Sequence, residues 1–162
     1  DYINIYERLK KINPKIEFSS DFIVSYPGET NDDFNDTLNL VKKIKFINSY
    51  SFIFSPRPGT KAAELKLIDN EVSKERLNEI QKNLFNYQIN KNRSFEGKSV
   101  EVLVENRMKN RFKLFGRNEF NNSVIFSGNE NNIGKIIKVK IENTNQISLF
   151  GKIENNKNMK AA

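Results

Sequence analysis

The sequence predicts an α/β segment followed by an all-β segment. As far as residue 72, apolar residues recur at helical spacing around two short strands, which is the pattern of a βαβ unit preceded by a helix. Residues 73–94 continue at helical spacing, and after Gly97 the period changes to two. We therefore expect parallel strands within residues 1–72, a linking helix at 73–94, a small antiparallel five-stranded barrel of the OB type at 95–154 and a disordered tail at 155–162.

The α/β segment opens with a predicted helix that ends at Asn13-Pro14, because proline cannot continue it. A strand at 16–25, expected to be buried on both faces, leads into a turn where Thr30 and Asp33 have the spacing of a capping box. The next helix has one apolar face, made by Phe34, Leu38, Val41 and Ile44. Two strands are too few for a sheet. The chain also lacks an initial Met, so we expect a longer polypeptide and, without it, exposed apolar faces.

The second strand carries Tyr50, Phe52 and Phe54 at alternate positions, and we expect these rings to pack in a core. The following helix is predicted to begin at a Ser73 cap and to run to about Arg93. Its buried stripe is made by Leu77, Ile80, Leu84 and Tyr87.

In the all-β segment, alternation begins at 100–105, and further strands are predicted at 112–115, 123–126, 136–141 and 146–153. Phe126 is expected in the core, whereas Phe112 or Phe120 is a candidate to stack on a nucleic-acid base. No internal repeat is predicted.

Composition limits the chemistry of the chain, which has no Cys and no His. Thiolate clusters, Cys nucleophiles and His bases are excluded, so we expect neither a catalytic residue nor a metal ligand here. Any iron–sulfur cluster must be held by residues outside this chain. No apolar run is long enough for a membrane span.

The formal net charge is +7, and most of the excess lies in the C-terminal part, where residues 95–162 hold 12 Lys and Arg against 7 Asp and Glu. Basic domains favour polyanions, and nucleic acid is the leading candidate. The competing explanation is an AT-rich genome, which would enrich Lys, Asn and Ile everywhere in the chain.

Two strand ends and one junction carry a family resemblance. Residues 25–30 read SYPGET, residues 54–63 read FSPRPGTKAA, and NRSFEGK at 92–98 precedes VEVLVE at 100–105. They resemble the radical-SAM methylthiotransferases, and among these the tRNA 2-methylthio-N6-isopentenyladenosine synthases, with 92–105 similar to the start of that family's TRAM domain. Ser25 stands where the family has glycine. Further TRAM-like spacing is found at Gly116-Arg117, Asn121, Phe126 and 133–135.

The resemblance implies that residues 1–72 end a partial (β/α) radical-SAM barrel and that residues 95–154 are a TRAM RNA-binding domain. The implied parent enzyme adds a 2-methylthio group to N6-isopentenyladenosine beside the tRNA anticodon, using S-adenosylmethionine and two 4Fe-4S clusters. Its implied partners are the anticodon stem-loop and the N-terminal domains of the same polypeptide, in a cytoplasmic monomer without membrane contact. The chain itself has no cluster ligands and is expected to be inactive alone.

The same resemblance implies an S-adenosylmethionine site formed by Ile23, Val24, Ser25, Glu29, Ser55 and Arg57. In α/β folds, ligands bind at the carboxyl ends of strands, where these residues fall. Glu29 equally suits a helix N-terminus, because the macrodipole favours a carboxylate there. Arg57, between two prolines, suits a carboxylate, a phosphate or a structural ion pair.

RNA contacts are expected in the basic C-terminal part, at Lys98, Arg111, Lys113, Arg117, Asn121, Lys135 and Lys138. The alternative is a solvated basic surface over an aromatic core. Other functions also stay open. The threonylcarbamoyladenosine-modifying relatives share the motif at 54–63. A stand-alone TRAM-type RNA binder, or a pseudo-enzyme from a truncated gene, would need no cluster.

Overall fold

The computed structural model describes residues 1–109 and 112–154. Its contacts divide the chain into two compact units, an N-terminal unit, Asp1–Tyr87, and a C-terminal unit, Gln88–Ala162. The predicted disordered tail, 155–162, lies outside the described residues.

The N-terminal unit alternates helices with two short strands. Its elements are α1 (Tyr2–Ile12), β1 (Asp21–Val24), α2 (Asn31–Ile44), β2 (Tyr50–Ile53), a 3-10 turn (Lys61–Glu64) and most of α3 (Asn70–Arg93). β1 and β2 pair in parallel, with Val24 opposite Ile53, which confirms the predicted βαβ unit.

Helix α2 begins as predicted. The Thr30 hydroxyl accepts a hydrogen bond from the Asp33 amide, and the Asp33 carboxylate accepts one from the Thr30 amide at 2.9 Å, which completes a capping box. The predicted apolar face is confirmed, because Phe34, Leu38, Val41 and Ile44 are all buried.

Helix α3 begins earlier than predicted. The Ser73 cap was wrong, because the helix starts at Asn70 and Asp69 Oδ1 accepts a hydrogen bond from the Glu71 amide at 2.8 Å. Ser73 lies inside the helix and its hydroxyl donates to the Asp69 carbonyl. The predicted stripe is confirmed: Ile80 and Leu84 are buried, with Leu77 and Tyr87 packed against the same core.

The β1–β2 sheet is covered on one face only. Phe22 and Val24 pack into the core of the unit. On the other face, Ile23, Tyr50 and Phe52 are 58%, 67% and 55% exposed. The prediction that Tyr50 and Phe52 pack in a core was therefore wrong, as was burial of the first strand on both faces. The exposed apolar face expected of strands without neighbours is confirmed.

The C-terminal unit is a closed five-stranded barrel with the strand order β3-β4-β5-β7-β6. Its strands are β3 (Ser99–Arg107), β4 (Lys113–Asn118), β5 (Ser123–Ser127), β6 (Ile136–Thr144) and β7 (Ser148–Ile153). β3 and β6 pair to close the barrel. The purely antiparallel arrangement was wrong at one place: β5 and β7 are parallel, because β6 intervenes in the chain but lies on the far side of β7. Phe126 is buried, as predicted.

The last turn of α3 is bound to the barrel through a buried amide. Asn92 is 1% exposed, and its Nδ2 donates to the carbonyl of Asn145 at 2.8 Å and to that of Gln146 at 3.0 Å. Its Oδ1 accepts from Asn122 Nδ2 at 3.1 Å. One side chain therefore joins the β4–β5 turn to the β6–β7 turn, which explains why a polar residue is buried here.

Candidate ligand and nucleic-acid surfaces

The turn after β1 holds a buried polar network. Ser25 has a φ of 59° and is 3% exposed. Its amide donates to Glu29 Oε2 at 2.8 Å, and its hydroxyl has no hydrogen-bond partner among the described residues. Glycine adopts a left-handed φ at lower cost than serine, so the backbone explains why glycine suits this position.

Glu29 is held by an arginine from α3. Arg76 Nη1 lies 2.6 Å from Glu29 Oε2, and Arg76 Nη2 donates to Asn31 Oδ1 at 2.8 Å. The side chains of Arg76 and Glu29 are only 7% and 11% exposed, and the guanidinium lies 5.4 Å from the centre of the Phe34 ring. The Glu29–Arg76 pair therefore joins the end of β1 to α3, and Arg76 extends the network to Asn31 at the start of α2. Sequence reasoning missed Arg76, which lies 47 residues away.

The other residues predicted for the cofactor site do not form one cluster. Val24 is completely buried in the core, whereas Ile23 is on the exposed sheet face. Ser55 and Arg57 are exposed on the loop that follows β2. The β1–β2 ladder extends to this loop, since the Phe54 amide donates to the Val24 carbonyl at 2.9 Å.

The residues predicted to bind RNA are spread over three adjacent strands of the barrel, β4, β3 and β6, and the segments next to them. Lys113 and Arg117 are on the outer face of β4. Lys138 is on the outer face of β6, opposite Glu101 of β3, and Lys98 and Lys135 precede β3 and β6. β3 pairs with both β4 and β6, so one strand separates Lys113 and Arg117 from Lys138. Arg111 lies outside the described residues.

Arg117 is held by three contacts. Its Nε lies 3.3 Å from Glu105 Oε1, and its Nη1 donates to the Asn121 carbonyl at 3.2 Å. The guanidinium also lies 5.4 Å from the centre of the Phe115 ring. Asn121 is exposed at the turn with a φ of 61° and supplies its backbone oxygen to this arrangement.

A row of three apolar side chains crosses the outside of β4, β5 and β7. Phe115 lies opposite Ile125, and Ile125 lies opposite Phe150. All three are partly exposed. One row further along the same strands, Lys113, Ser127 and Lys152 are neighbours, and on the other side Arg117, Ser123 and Ser148 are neighbours. We call Phe115, Ile125 and Phe150, with the flanking Lys113, Arg117 and Lys152, the outer strip.

The two hairpins that flank β5 are built in the same way. Val104 lies opposite Gly116 in β3–β4, as Ile141 lies opposite Gly151 in β6–β7, and all five recorded pairs of one hairpin have counterparts in the other. The register also shifts at equivalent places, at Glu105 and at Glu142, as in a β-bulge. The barrel thus has an approximate internal two-fold relation about Ile125.

This repeat explains what sequence reasoning missed. The prediction of no internal repeat was wrong, because LFGR at 114–117 matches LFGK at 149–152, and each follows a Glu-Asn pair. The two hairpins have loops of different length, so the match is not obvious in the sequence. Because the repeat was missed, Phe115, Phe150 and Lys152 were not recognised as members of one surface.

The repeated glycines permit a close approach of the strands. A Cβ on Gly116 would lie well under 3.0 Å from the Leu103 carbonyl oxygen and 2.7 Å from Val102 Cγ1. A Cβ on Gly151 would similarly clash with the Lys140 carbonyl and lie 2.8 Å from Val139 Cγ1. Each glycine precedes the basic residue that pairs with the bulge glutamate, so the strip's geometry depends on them.

The described residues offer neither a metal-binding cluster nor a membrane-spanning helix. Residues 1–109 and 112–154 contain no group of three acidic, His or Cys side chains placed to hold a metal ion. No helix in those ranges combines the length and apolarity needed to cross a bilayer.

Comparison with known proteins extends these observations. Residues 93–153 match the TRAM domain family. The chain is 59% identical over all its 162 residues to tRNA-2-methylthio-N(6)-dimethylallyladenosine synthase of Pelagibacter ubique (strain HTCC1062), covering 36% of that protein. It is 44% identical over 162 residues, 98% of the chain, to the synthase of the same name from Buchnera aphidicola subsp. Baizongia pistaciae (strain Bp), covering 36% of it. For Clostridium novyi (strain NT) the identity is 41% over 155 residues, 94% of the chain and 34% of that protein.

The closed barrel and the family match define the C-terminal unit as a TRAM domain. The chain as a whole belongs to the tRNA-2-methylthio-N(6)-dimethylallyladenosine synthase family, in which it matches the C-terminal third. It spans about a third of the length of the curated relatives it matches. The family resemblance expected from the sequence is confirmed.

Proposed function

We propose that this chain is the tRNA-docking, C-terminal portion of an enzyme that adds a 2-methylthio group to N6-isopentenyladenosine beside the anticodon. The observation that carries the proposal is the TRAM domain, which ends a chain similar over its full length to synthases of that name. Radical-SAM chemistry, a cytoplasmic location and a monomeric parent belong to the same proposal.

The N-terminal unit is proposed to be the end of the radical-SAM barrel. Its parallel β1–β2 pair exposes Ile23, Tyr50 and Phe52, which suits a sheet that continues against other residues. Exposed Ile23, Ser55 and Arg57 fit a ligand-facing role best. Ser25 fits as well, because its buried hydroxyl lacks a partner among the described residues. S-adenosylmethionine, when bound, would supply the radical precursor and the methyl group.

Two of the proposed cofactor residues fit an indirect role. Val24 is enclosed in the core, and Glu29 is already paired with Arg76, so a ligand would have to break a buried ion pair to reach it. The two 4Fe-4S clusters do not fit this chain, because it contains no Cys. Methylthiolation therefore requires residues outside the chain. We expect no product from this chain alone in a reconstituted assay with S-adenosylmethionine and a sulfur source.

RNA docking is proposed for the basic outer surface of the TRAM domain. Lysine and arginine side chains neutralise phosphates and position a nucleic acid without reading its sequence. Lys98, Lys135 and Lys138 would contact RNA along β3 and β6, and Lys113 and Arg117, beside Asn121, along the neighbouring strand β4. Arg111 belongs to the proposal on its sequence position alone.

The proposal is tested by titrating the full chain with an isopentenylated tRNA anticodon stem-loop at several salt concentrations. Roughly six phosphate contacts give a slope of about −4 to −5 in a plot of log K against log salt. Three triple alanine variants remove equal charge: Lys113/Arg117/Lys152, Lys98/Lys135/Lys138 and, as the control in the N-terminal unit, Lys61/Lys66/Lys82.

Weakened binding and a shallower slope in either TRAM-domain variant, with the control unchanged, would support docking by this domain and show which set of basic residues contacts the RNA. Absence of binding by the unsubstituted chain at low salt would contradict docking. Equal losses of affinity in all three variants would mean that RNA binding depends on the total charge of the chain and not on the TRAM domain.

A further inference from the structure

We infer that the outer strip binds unpaired RNA nucleotides, with one base stacking on Phe115, another on Phe150, and Lys113, Arg117 and Lys152 contacting the adjoining phosphates. The inference rests on the proposed docking function and names its site. The inference follows from the strand register, which places residues of β4, β5 and β7 side by side although they are far apart in the sequence.

The spacing of the strip suits a polynucleotide. Phe115 and Phe150 are separated by one intervening strand, so their Cα atoms lie roughly 10 Å apart from the usual spacing of neighbouring strands. Ile125 fills the space between them. Beside Phe150, a cleft of about 290 Å³ opens between Lys113 and Lys152 and is lined by Ile125, Ser127 and Asn143. Each ring thus adjoins both an apolar neighbour and a cation.

Two of the three cations at the strip, Arg117 and Lys152, are held in place by equivalent ion pairs. Glu105 lies 3.3 Å from Arg117, and Glu142 lies 2.8 Å from Lys152. Each glutamate occurs at the register shift of its strand, so the bulge directs its carboxylate towards the basic residue of the next strand. Both pairs are solvent-accessible, with side chains between 34% and 74% exposed. An exposed pair is weak, so a phosphate can replace the carboxylate at little cost.

Single-stranded RNA fits this surface better than other partners. Unpaired bases can splay out and stack on aromatic rings, whereas bases in a duplex cannot reach a flat strip. Three cations around the rings favour a polyanion over an apolar protein segment. The region from residue 95 onward also carries most of the net positive charge of the chain.

The test uses the full chain and two probes, a fluorescein-labelled ten-nucleotide oligoadenylate and the anticodon stem-loop. The double variant Phe115→Ala/Phe150→Ala is compared with Ile5→Ala/Ile12→Ala, which removes two exposed apolar side chains, 56% and 79% exposed, from α1 of the N-terminal unit. Each ring that stacks on a base strengthens binding, so the loss of each ring is expected to weaken RNA binding roughly ten-fold. The control is expected to bind like the unsubstituted chain.

A spectroscopic readout separates stacking from misfolding. The chain has no Trp, so single Phe115→Trp and Phe150→Trp variants each carry one indole. Stacked bases should quench both, while an Ile12→Trp control, with its indole on α1 of the N-terminal unit, keeps its fluorescence. Glu105→Gln/Glu142→Gln releases the cations and should tighten oligonucleotide binding several-fold at low salt.

The outcomes divide cleanly. RNA binding by the unsubstituted chain with no loss in the double Phe variant and no Trp quenching would overturn the strip while leaving docking by the TRAM domain intact. Failure of the unsubstituted chain to bind either probe would overturn both proposals. Selective loss together with quenching would establish the strip.

Discussion

The two units of this chain differ in how their β-sheets are covered: one sheet closes into a barrel, and the other is an open pair of strands. The TRAM domain closes its sheet, so every strand pairs with two neighbours and its inward side chains meet in one core. The N-terminal unit keeps a two-stranded sheet that is covered on one face and bears exposed Ile23, Tyr50 and Phe52 on the other. Closure leaves no open sheet edge in the TRAM domain, whereas the N-terminal unit relies on helix packing and a polar network.

The largest expected effect on stability comes from the buried polar network of the N-terminal unit. Replacing Arg76 by Met removes the partner of Glu29 and leaves a buried carboxylate uncompensated, which should lower the free energy of unfolding of the N-terminal unit by about 3–5 kcal/mol. Lys74→Met is the matched control, because Lys74 pairs with Glu71 on the same helix but both side chains are exposed. Urea titrations followed by circular dichroism measure both. Similar shifts for the two variants would mean that the buried pair contributes no more than a surface pair.

Closure of the barrel can be tested at its two close approaches. Gly116→Ala and Gly151→Ala each place a Cβ against the backbone of the neighbouring strand, so each should cost about 2–3 kcal/mol of unfolding free energy. Because the two hairpins have the same pairing, the two costs should be alike. Gly134→Ala serves as the comparison, since nothing lies within 4 Å of its Cβ and only its φ of 81° opposes substitution, at about 1–2 kcal/mol. A large difference between Gly116→Ala and Gly151→Ala in thermal melts would show that the hairpins are not equivalent.

The smallest expected effect concerns the start of α2. The hydrogen bond from the Thr30 hydroxyl, followed by that from the Thr30 amide, lowers the pKa of Asp33 below its ordinary value of 3.8. A carboxyl whose pKa is lower in the folded state stabilises the fold above the unfolded pKa, and this contribution disappears as the pH falls through the folded pKa. The stability difference between the unsubstituted chain and Asp33→Asn should therefore be present at pH 6 and shrink towards pH 3. Asp32→Asn, which removes a neighbouring carboxylate outside the capping box, is the control. A stability difference that does not change with pH would contradict a stabilising role for the charged Asp33 carboxylate.

Local rules predicted much of the fold because their causes lie close in sequence. The capping box at Thr30 and Asp33, the buried stripe of α3 and the core position of Phe126 each depend on residues a few positions apart. The pairing of Glu29 with Arg76 could not be predicted in this way, since it joins residues 47 positions apart. Tyr50 and Phe52 show a different limit. Their alternation identifies a strand, but periodicity does not say whether the apolar face is covered within the same chain.

For the candidate sites, the sequence identified basic residues but did not show which of them lie on the same surface. It named Lys113 and Arg117 as RNA-contacting residues, and both lie on the outer face of β4, but it grouped them with Lys138, which lies on β6 beyond the intervening β3. The aromatic members, Phe115 and Phe150, come together only through the pairing of both strands with β5. Strand order, which a single sequence specifies weakly, therefore determines the composition of the surface.

The internal two-fold relation of the barrel has a consequence for the direction of a bound strand. A polynucleotide has distinct 5′ and 3′ ends, whereas a surface with two-fold symmetry looks the same from either end. Beside the row of rings, Phe115 corresponds to Phe150 and Arg117 to Lys152, but Lys113 corresponds to Ser148. Any preference for one polarity on this surface must therefore come from positions where the copies differ. Lys113, whose counterpart in the second hairpin is Ser148, is the position closest to the rings at which the two copies differ in charge.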